Sequence, residues 1–422
     1  MKETFLVFEP LNHMFKVIIA AKARGLKVIV FHSMPLNFPS PYEEAKICID
    51  EAFEVTSWSD YESIFFKISS IEATHKFVGT YAAAEITLYI EALVREKYAL
   101  LTTPPEVICK YLDKFEVRKQ LCLSELSHLN YFHKNEVIKM EKWPFSGKAF
   151  FKPCCGAGST RVKKCESFSD VYKLQEQWND KTDIFPLILR EFIENSNDYF
   201  LEEAVEGELV SVECLTYQRD TIVLGVSSRS LLRKDQTIEL GASFPYQHDR
   251  SLEIIDKVIK AHKILGITHG PTHTEVIVSN SGAIEIIEVN LRMAGSDMLL
   301  LMNAGLKTNI ENILVGLSLG EKPSVSFSKE KHVAAMQLVL APSDTKIFET
   351  ISFPPEVDSF RQLKPSGTKL NSTDTEGDYV GSFIVSAENN QQLISKVHLI
   401  RNKIRINGEL IAGADNNEVI VY

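Results

Sequence analysis

The sequence has no long apolar run, no excess of basic residues and few cysteines for 422 positions. Apolar runs are short, as in Val28-Ile29-Val30-Phe31, and a membrane-spanning helix needs about 18 or more such residues. No membrane partner is expected. Glu9 and Pro10 follow the first apolar stretch directly, which does not fit a signal peptide. Lys and Arg number 46 against 56 Asp and Glu, a formal charge of −10. Broad nucleic-acid binding needs a basic surface, so it is not expected, although a local anion site is compatible with this balance. The seven cysteines (Cys48, Cys109, Cys122, Cys154, Cys155, Cys165, Cys214) are odd in number and lack zinc-ribbon spacing. Reduced thiols in a cytoplasmic protein are the expectation. There is no internal repeat and no low-complexity tract. What is present is an ordinary globular composition, 45% hydrophobic and 24% charged. The length suits about three domains or one large α/β chain.

The first hundred residues alternate strand-like and helix-like runs. Phe5–Phe8 reads as a strand, Met14–Arg24 as a helix stopped by Gly25, and Lys27–Phe31 as the next strand. A second unit runs from Phe77-Val78-Gly79 into a helix over Glu85–Lys97. Such alternation predicts a parallel sheet with helices on its faces. Thr102-Thr103-Pro104-Pro105 breaks the pattern and marks a boundary. Helix is expected from Glu106 to about Ser127. β-rich sequence follows from Lys148 to Thr216, interrupted by a helix over Ser169–Trp178. Further strands (Thr221–Leu232), a helix (Ser251–Leu265), a hairpin (His273–Asn290) and helices to Leu319 come next. A small α/β module closes the chain, with a strand at Val333–Leu340 and a helix at Asn390–Arg405.

The hairpin is the most informative segment. Two alternating runs flank Asn280-Ser281-Gly282. A two-residue turn at Ser281-Gly282 would oppose Glu275 to Glu288, His273 to Asn290, and Ile277 to Ile286, all six on one face. Carboxylates so opposed repel. Two of them with a carboxamide, and Arg292 just beyond, make sense around a divalent cation. An all-oxygen donor set favours Mg²⁺ or Mn²⁺, and Mg²⁺ usually bridges carboxylates to phosphates, which suggests a nucleotide. A solvated strand face is the alternative, weakened by the isoleucines on it.

Lys152 ends the apolar strand Phe150-Phe151, and Pro153-Cys154-Cys155 lead from it into Gly156-Ala157-Gly158-Ser159. Glycines let backbone N–H groups cradle an anion. The loop is neither a Walker A motif nor a dinucleotide fingerprint, since no Lys-Ser or Lys-Thr follows and Arg161 stands at the third glycine position. Taken alone it also fits a plain turn. Lys114 lies on a helix with Arg118 one turn on, a polar pair that in isolation reads as a solvated face. Glu202-Glu203-Ala204-Val205-Glu206-Gly207 joins two strands. It would suit a connector whose backbone reads an adenine edge, or an ordinary strand–turn–strand.

In this order the pieces resemble the ATP-grasp superfamily, in particular carboxylate–amine ligases such as the bacilysin-type L-amino-acid (dipeptide) ligases. The resemblance spans the chain in architecture and about Glu106 to Leu306 in motif. It implies an α/β chain with a Rossmann-like pre-ATP-grasp domain (1–105), a lobe with the glycine-rich loop (106–200), a lobe with the metal hairpin (201–310) and a small C-terminal α/β module (311–422). It implies that Lys114 and Lys152 hold ATP phosphates under the loop Gly156, Gly158 and Ser159. Glu202 and the backbones of Glu203 and Val205 would read the adenine, and Ile277 and Ile287 would pack on its ring. Ile287 falls on the other face under simple pairing and fits only with a bulge. Glu275, Glu288 and Asn290 would ligate two Mg²⁺, or Mn²⁺, and Arg292 would clamp the transferred phosphoryl group. Leu209 stands where relatives often carry a ribose-binding Glu, leaving Glu208 or another group for that contact. Arg161 stands where a glycine is common.

The expected activity is therefore ATP-dependent amide formation through an acyl phosphate with release of ADP and phosphate, as in dipeptide synthesis for secondary metabolites. The partners would be small-molecule carboxylate and amine substrates, amino acids first among them. A homodimer is compatible with this. Arg292, Gly295 and Ser296 would receive the carboxyl substrate and Glu239 its ammonium, unless Glu239 is a plain surface charge. His273 would clamp or relay a proton, unless it is a core histidine. Carboxylation or purine-type ligation, a noncatalytic nucleotide binder and a protein-modifying ligase stay open. No biotin-attachment motif is present, which speaks mildly against a fused carboxylase.

Overall fold

Lys2–Phe8 (β1) is an inner strand of a parallel sheet with the order β3-β2-β1-β4, where Lys27–His32 is β2, Glu51–Glu54 is β3 and His75–Ala82 is β4. Phe5 to Phe8 are all fully buried, as a strand covered by helices on both faces requires. Phe5 and Val7 pack in the core that includes the helix Met14–Ala23 (α1). Leu6 and Phe8 pack with Tyr61–Ile71 (α2) and Glu85–Lys97 (α3). Gly25 ends the α1 segment with φ +79°, as a C-terminal stop should. This computed structural model describes residues 1–422 except 12–13, 40–41, 83, 157–160, 180–197, 233–238, 326–331, 343, 371–378, 412–418 and 422.

The helix expected from Glu106 to Ser127 is two helices, Pro105–Tyr111 (α4) and Lys114–Leu123 (α5). The break is Asp113, whose carboxylate accepts from the N–H groups of Phe115 and Glu116 and so starts a new helix. Tyr131–His133 (β5), Ala149–Pro153 (β6), Lys163–Cys165 (β7) and Tyr199–Glu203 (β8) form an antiparallel sheet ordered β5-β8-β6-β7, and Phe168–Asn179 (α6) follows β7.

Residues 204–206 then cross to another sheet. It is ordered β10-β9-β13-β14, from Gly207–Tyr217 (β9), Asp220–Ser227 (β10), Gly270–Ser279 (β13) and Ile284–Asn290 (β14). A Cβ on Gly207 would lie 2.1 Å from the Val278 carbonyl oxygen, so only glycine permits β9 to start this close to β13. The helix Ser251–Ile264 (α7) covers the back of the sheet, where Ile254, Val258 and Ala261 meet Val210, Val212, Val276, Ile286 and Val289.

The remaining large sheet draws on distant parts of the chain. Ser230–Leu232 (β11), Glu239–Phe244 (β12), Val333–Leu340 (β15), Ser359–Gln362 (β16), Tyr379–Ala387 (β17) and Val419–Val421 (β18) are ordered β16-β17-β15-β12-β11-β18. Asn390–Arg401 (α10) packs on it, ending four residues before the expected Arg405. Met298–Leu306 (α8) and Ile310–Ser318 (α9) share one core with α1 and the first sheet.

Candidate active site

β13 and β14 put their polar residues in rungs across three strands. Glu213, His273 and Asn290 make one rung, and Ser211, Glu275 and Glu288 make the next. The expected opposition of Glu275 to Glu288 and of His273 to Asn290 holds. The expected pairing of Ile277 with Ile286 does not: Ile277 pairs with Glu285 and Val276 with Ile286. The turn is one residue longer than expected, because Ser279 N–H bonds the Ala283 carbonyl at 2.7 Å around Asn280, Ser281 and Gly282. A bulge at Ile287–Glu288 restores the register at the carboxylate end. Ile286 and Val289 both lie in the core on the back of the sheet, so the two residues between them face the other way. That brings Ile287 to the side of Ile277, the arrangement that the expected packing of both on one ring needed, and both side chains are partly exposed.

The carboxylates of this face are already met by cations. Lys114 Nζ donates to Glu288 Oε1, from the first position of α5. Burial disfavours its charge, but Glu288, Glu85 and Glu275 outweigh that and raise its pKa. Lys152, at the end of β6, donates to Glu202 Oε1, while Arg118 Nε donates to Glu202 Oε2 at 2.6 Å. Both oxygens of Glu202 are thus engaged, and burial is outweighed by the two cations, so its pKa falls. Arg118 is buried, which overturns the solvated reading of its helix face. It also reaches the Ile287 carbonyl at 3.2 Å and Ser127 Oγ at 3.0 Å. Arg118 therefore ties the two sheets together.

His273 Nδ1 lies 2.8 Å from Glu213 Oε1, and Nε2 lies 3.3 Å from Glu275 Oε1. Burial opposes its charge, yet Glu213 and Glu275 hold its pKa up at about 9. It is a buried, ion-paired histidine in contact with a carboxylate of the site. Burial likewise opposes the Glu275 carboxylate, but His273, Arg229 and Lys114 pull its pKa down to about 2. Arg229 Nε is 2.8 Å from Glu239 Oε2. Glu239 is half-buried, and burial ahead of Glu275 raises its pKa against the pull of Arg229. It is an engaged group, not a plain surface charge.

Arg292 Nε donates to Glu85 Oε1 at 2.6 Å, Nη2 donates to the same oxygen, and Nη1 donates to the Met293 carbonyl at 2.9 Å. Burial is outweighed by Glu85, Glu288 and Glu275, so the guanidinium stays charged. Beyond it, Gly295 is exposed and a Cβ there would meet nothing within 4 Å. Ser296 has φ +55°.

Around the crosspiece, the Glu203 N–H is taken by the Asn130 carbonyl at 2.9 Å. Glu208 accepts from Tyr246 Oη at 2.6 Å and lies 3.5 Å from His248 Nε2, while Leu209 pairs with Ile277. Gly156 is placed with φ +158°. Gly158 and Ser159 lie outside the described residues. Sequence reasoning missed Glu85, Glu213 and Arg229. The signal for Glu213 was present: a carboxylate two residues after Ser211, each flanked by apolar residues in Val210-Ser211-Val212-Glu213-Cys214-Leu215.

Residues 148–299 match the ATP-grasp domain family. In structure, the chain is similar to the L-amino acid ligase from Bacillus licheniformis, with a TM-score of 0.80, 19% identity, and 96% of this chain and 98% of that one covered. This is the ATP-grasp fold. The same fold appears in phosphoribosylglycinamide synthetase from Anaerococcus prevotii (TM-score 0.70, 16% identity, 96% and 99% covered). It appears again in the biotin carboxylase domain of the Hydrogenobacter thermophilus 2-oxoglutarate carboxylase, solved with MgADP and bicarbonate (TM-score 0.69, 15% identity, 96% and 91% covered). No curated protein matches the sequence. In ATP-grasp terms, the two antiparallel sheets joined by residues 204–206 are the two clasping lobes. No helix among the described residues is long and apolar enough to cross a membrane, and no disulfide joins any of the seven cysteines, all of which are described.

Proposed function

We propose that the protein is an ATP-dependent carboxylate–amine ligase whose substrates are amino acids or small amino-acid-like acids. The observation that carries this reading is the convergence of Lys114 and Arg292 on the face bearing Glu275, Glu288 and Asn290. Binding a nucleotide alone would not call for a half-buried arginine beyond the carboxylates. The donor set fits Mg²⁺: two carboxylates and a carboxamide share one face, and a cation, the Lys114 ammonium, already sits on Glu288. Among the described residues no three His, Cys, Asp or Glu side chains are grouped as a metal site on their own. Bound there, the metal would neutralise phosphate charge.

In the proposed reaction the substrate carboxylate attacks the γ-phosphorus of ATP, breaking the bond to the β,γ-bridging oxygen and giving an acyl phosphate and ADP. An amine then attacks the acyl carbon, and phosphate and a proton leave as the amide forms. Lys114 and Lys152 would hold phosphate oxygens, the crosspiece backbone and Ile277 and Ile287 the base, and Arg292 the oxygens that gain charge in transfer. Such catalysis rests on positioning and electrostatics. Glu239, Gly295 and Ser296 would border the amino-acid pocket.

The test is ADP and phosphate release screened against pairs of amino acids, with a bicarbonate arm and product masses. Hydroxylamine in place of the amine should trap a hydroxamate. AMP and pyrophosphate as the products, or turnover with bicarbonate alone, would replace this reading.

A further inference from the structure

The loop from Arg292 to Asp297 is held at both ends. At one end Arg292 bonds the Met293 carbonyl at 2.9 Å. At the other, Asp297 precedes α8 in the N-cap position, yet its side chain caps nothing in its own helix. An aspartate there usually stabilises its helix by accepting from the first N–H groups. Here both carboxylate oxygens are directed elsewhere. Arg361 Nη1 donates to Oδ1 at 2.7 Å and Ser382 Oγ to Oδ2 at 2.8 Å, while Tyr42 Oη lies 3.3 Å from Oδ1. Arg361 and Ser382 are a cross-strand pair of β16 and β17, so the C-terminal sheet presents two aligned donors to one carboxylate. Arg361 also lies over the Tyr42 ring at 5.3 Å. Asp297, Ser382 and Tyr42 are each at most 2% exposed and Arg361 9%. Between the two anchors sits Ser296 in the left-handed region at φ +55°, a conformation that is strained for a non-glycine residue and persists only when its surroundings impose it.

We propose that Arg361 is a positioning residue: from the C-terminal module it holds Asp297 and thereby keeps Gly295 and Ser296 in the shape that receives the carboxylate-bearing substrate beside Arg292. This rests on the reading of that loop as the acid pocket. The C-terminal module then serves the acid site and not the nucleotide. Arg361→Gln should speed amide hydrogen exchange in peptides covering 293–298 about tenfold or more. It should raise KM for the acid substrate about tenfold while KM for ATP moves less than about twofold. Arg361→Lys, which keeps one charged donor, should fall between. Arg401→Lys is the control, because Arg401 is a buried arginine of the same module that bonds the Leu338 carbonyl at 3.1 Å. It should lower stability without moving exchange in the loop. Should Arg361→Gln fail to fold, Ser382→Ala removes the second donor and should give a smaller change of the same sign. Unchanged loop exchange in Arg361→Gln, or faster exchange with an unmoved acid KM, overturns the proposal. A wild-type protein with no acid-dependent ADP release overturns the ligase reading instead, and the exchange arm still decides whether Arg361 anchors the loop.

Discussion

At the scale of single residues, Arg292 and Glu85 behave as a unit. The fork of Arg292 rests on one oxygen of a helix N-terminal glutamate 207 positions away in sequence. A lysine keeps the charge but cannot hold two oxygens at once. Arg292→Lys should bind ATP within about threefold of the wild type yet lose about 10³-fold in amide synthesis. Equilibrium nucleotide binding together with single-turnover rates checks this, and wild-type synthesis would take Arg292 out of the mechanism. Glu85→Gln keeps the shape and removes the charge that orients the fork. Turnover should drop about 10- to 100-fold with KM for ATP within about twofold. Steady-state kinetics with ATP varied decides it, and unchanged kcat would make Glu85 a bystander.

At the scale of elements, β13 is flanked by two histidines that stay neutral. His262 on α7 lies 2.9 Å from Thr274 Oγ1, and His269 Nε2 lies 3.1 Å from the Leu317 carbonyl. Burial pushes the pKa of each down from 6.5 to about 4, with Arg95 adding to the effect at His269. In the unfolded chain they take up protons below about pH 6.5, and in the folded chain only near pH 4. Their contribution is therefore intact above about pH 6.5 and lost as the pH falls towards 4. Each should cost on the order of 1–2 kcal/mol at pH 5. Urea midpoints at pH 7.5 and 5.5 should show the loss, and His262→Asn should shrink the difference. An equal difference in the mutant would mean the histidine titrates normally. The glycine that opens β9 makes a second test. Gly207→Ala forces a Cβ onto the Val278 carbonyl, so it should destabilise the protein by about 2–4 kcal/mol. A melting temperature within a degree of the wild type would show that β9 can start elsewhere.

Periodicity made these elements legible. β15 and α3 have the bounds that their patterns predict, because both carry a clean apolar repeat between clear stops. The carboxylate register was legible for a less direct reason. A turn one residue longer than expected and a one-residue bulge cancel between Ser279 and Glu288. Nothing in Ile286-Ile287-Glu288 marks a bulge, since consecutive isoleucines suit either face. Arg118 and Glu85 were illegible because a charge on a helix reads as solvated until the partner that buries it is known. Arg118 meets Glu202 across 84 residues.

At the scale of the whole molecule, the first sheet does not close its own core. Val17, Ile18 and Leu26 share a cluster with Leu299, Leu301, Ile310, Leu314 and Val315. Arg95 reaches across to Ser318 Oγ at 3.0 Å and to its carbonyl at 3.2 Å. A fragment of residues 1–105 should therefore leave that face exposed, binding hydrophobic dye and unfolding without a cooperative transition. A sharp melting transition for the fragment would show that α8 and α9 are dispensable to it.

The ion pairs around the carboxylate hairpin bear on what can enter the site. Among the described residues, Lys114, Lys152, Arg118, Arg229, Arg292 and protonated His273 face Glu85, Glu202, Glu213, Glu239, Glu275 and Glu288. These six cations and six carboxylates offset one another within the site itself. A highly charged polyphosphate arriving bare would find each cation already spoken for, and freeing one would strand a carboxylate in a poorly hydrated place. A polyphosphate that brings its own divalent counterions instead supplies a positive partner for every glutamate it displaces. If the proposed nucleotide enters here, the arrangement would therefore favour its metal complex over the bare polyanion.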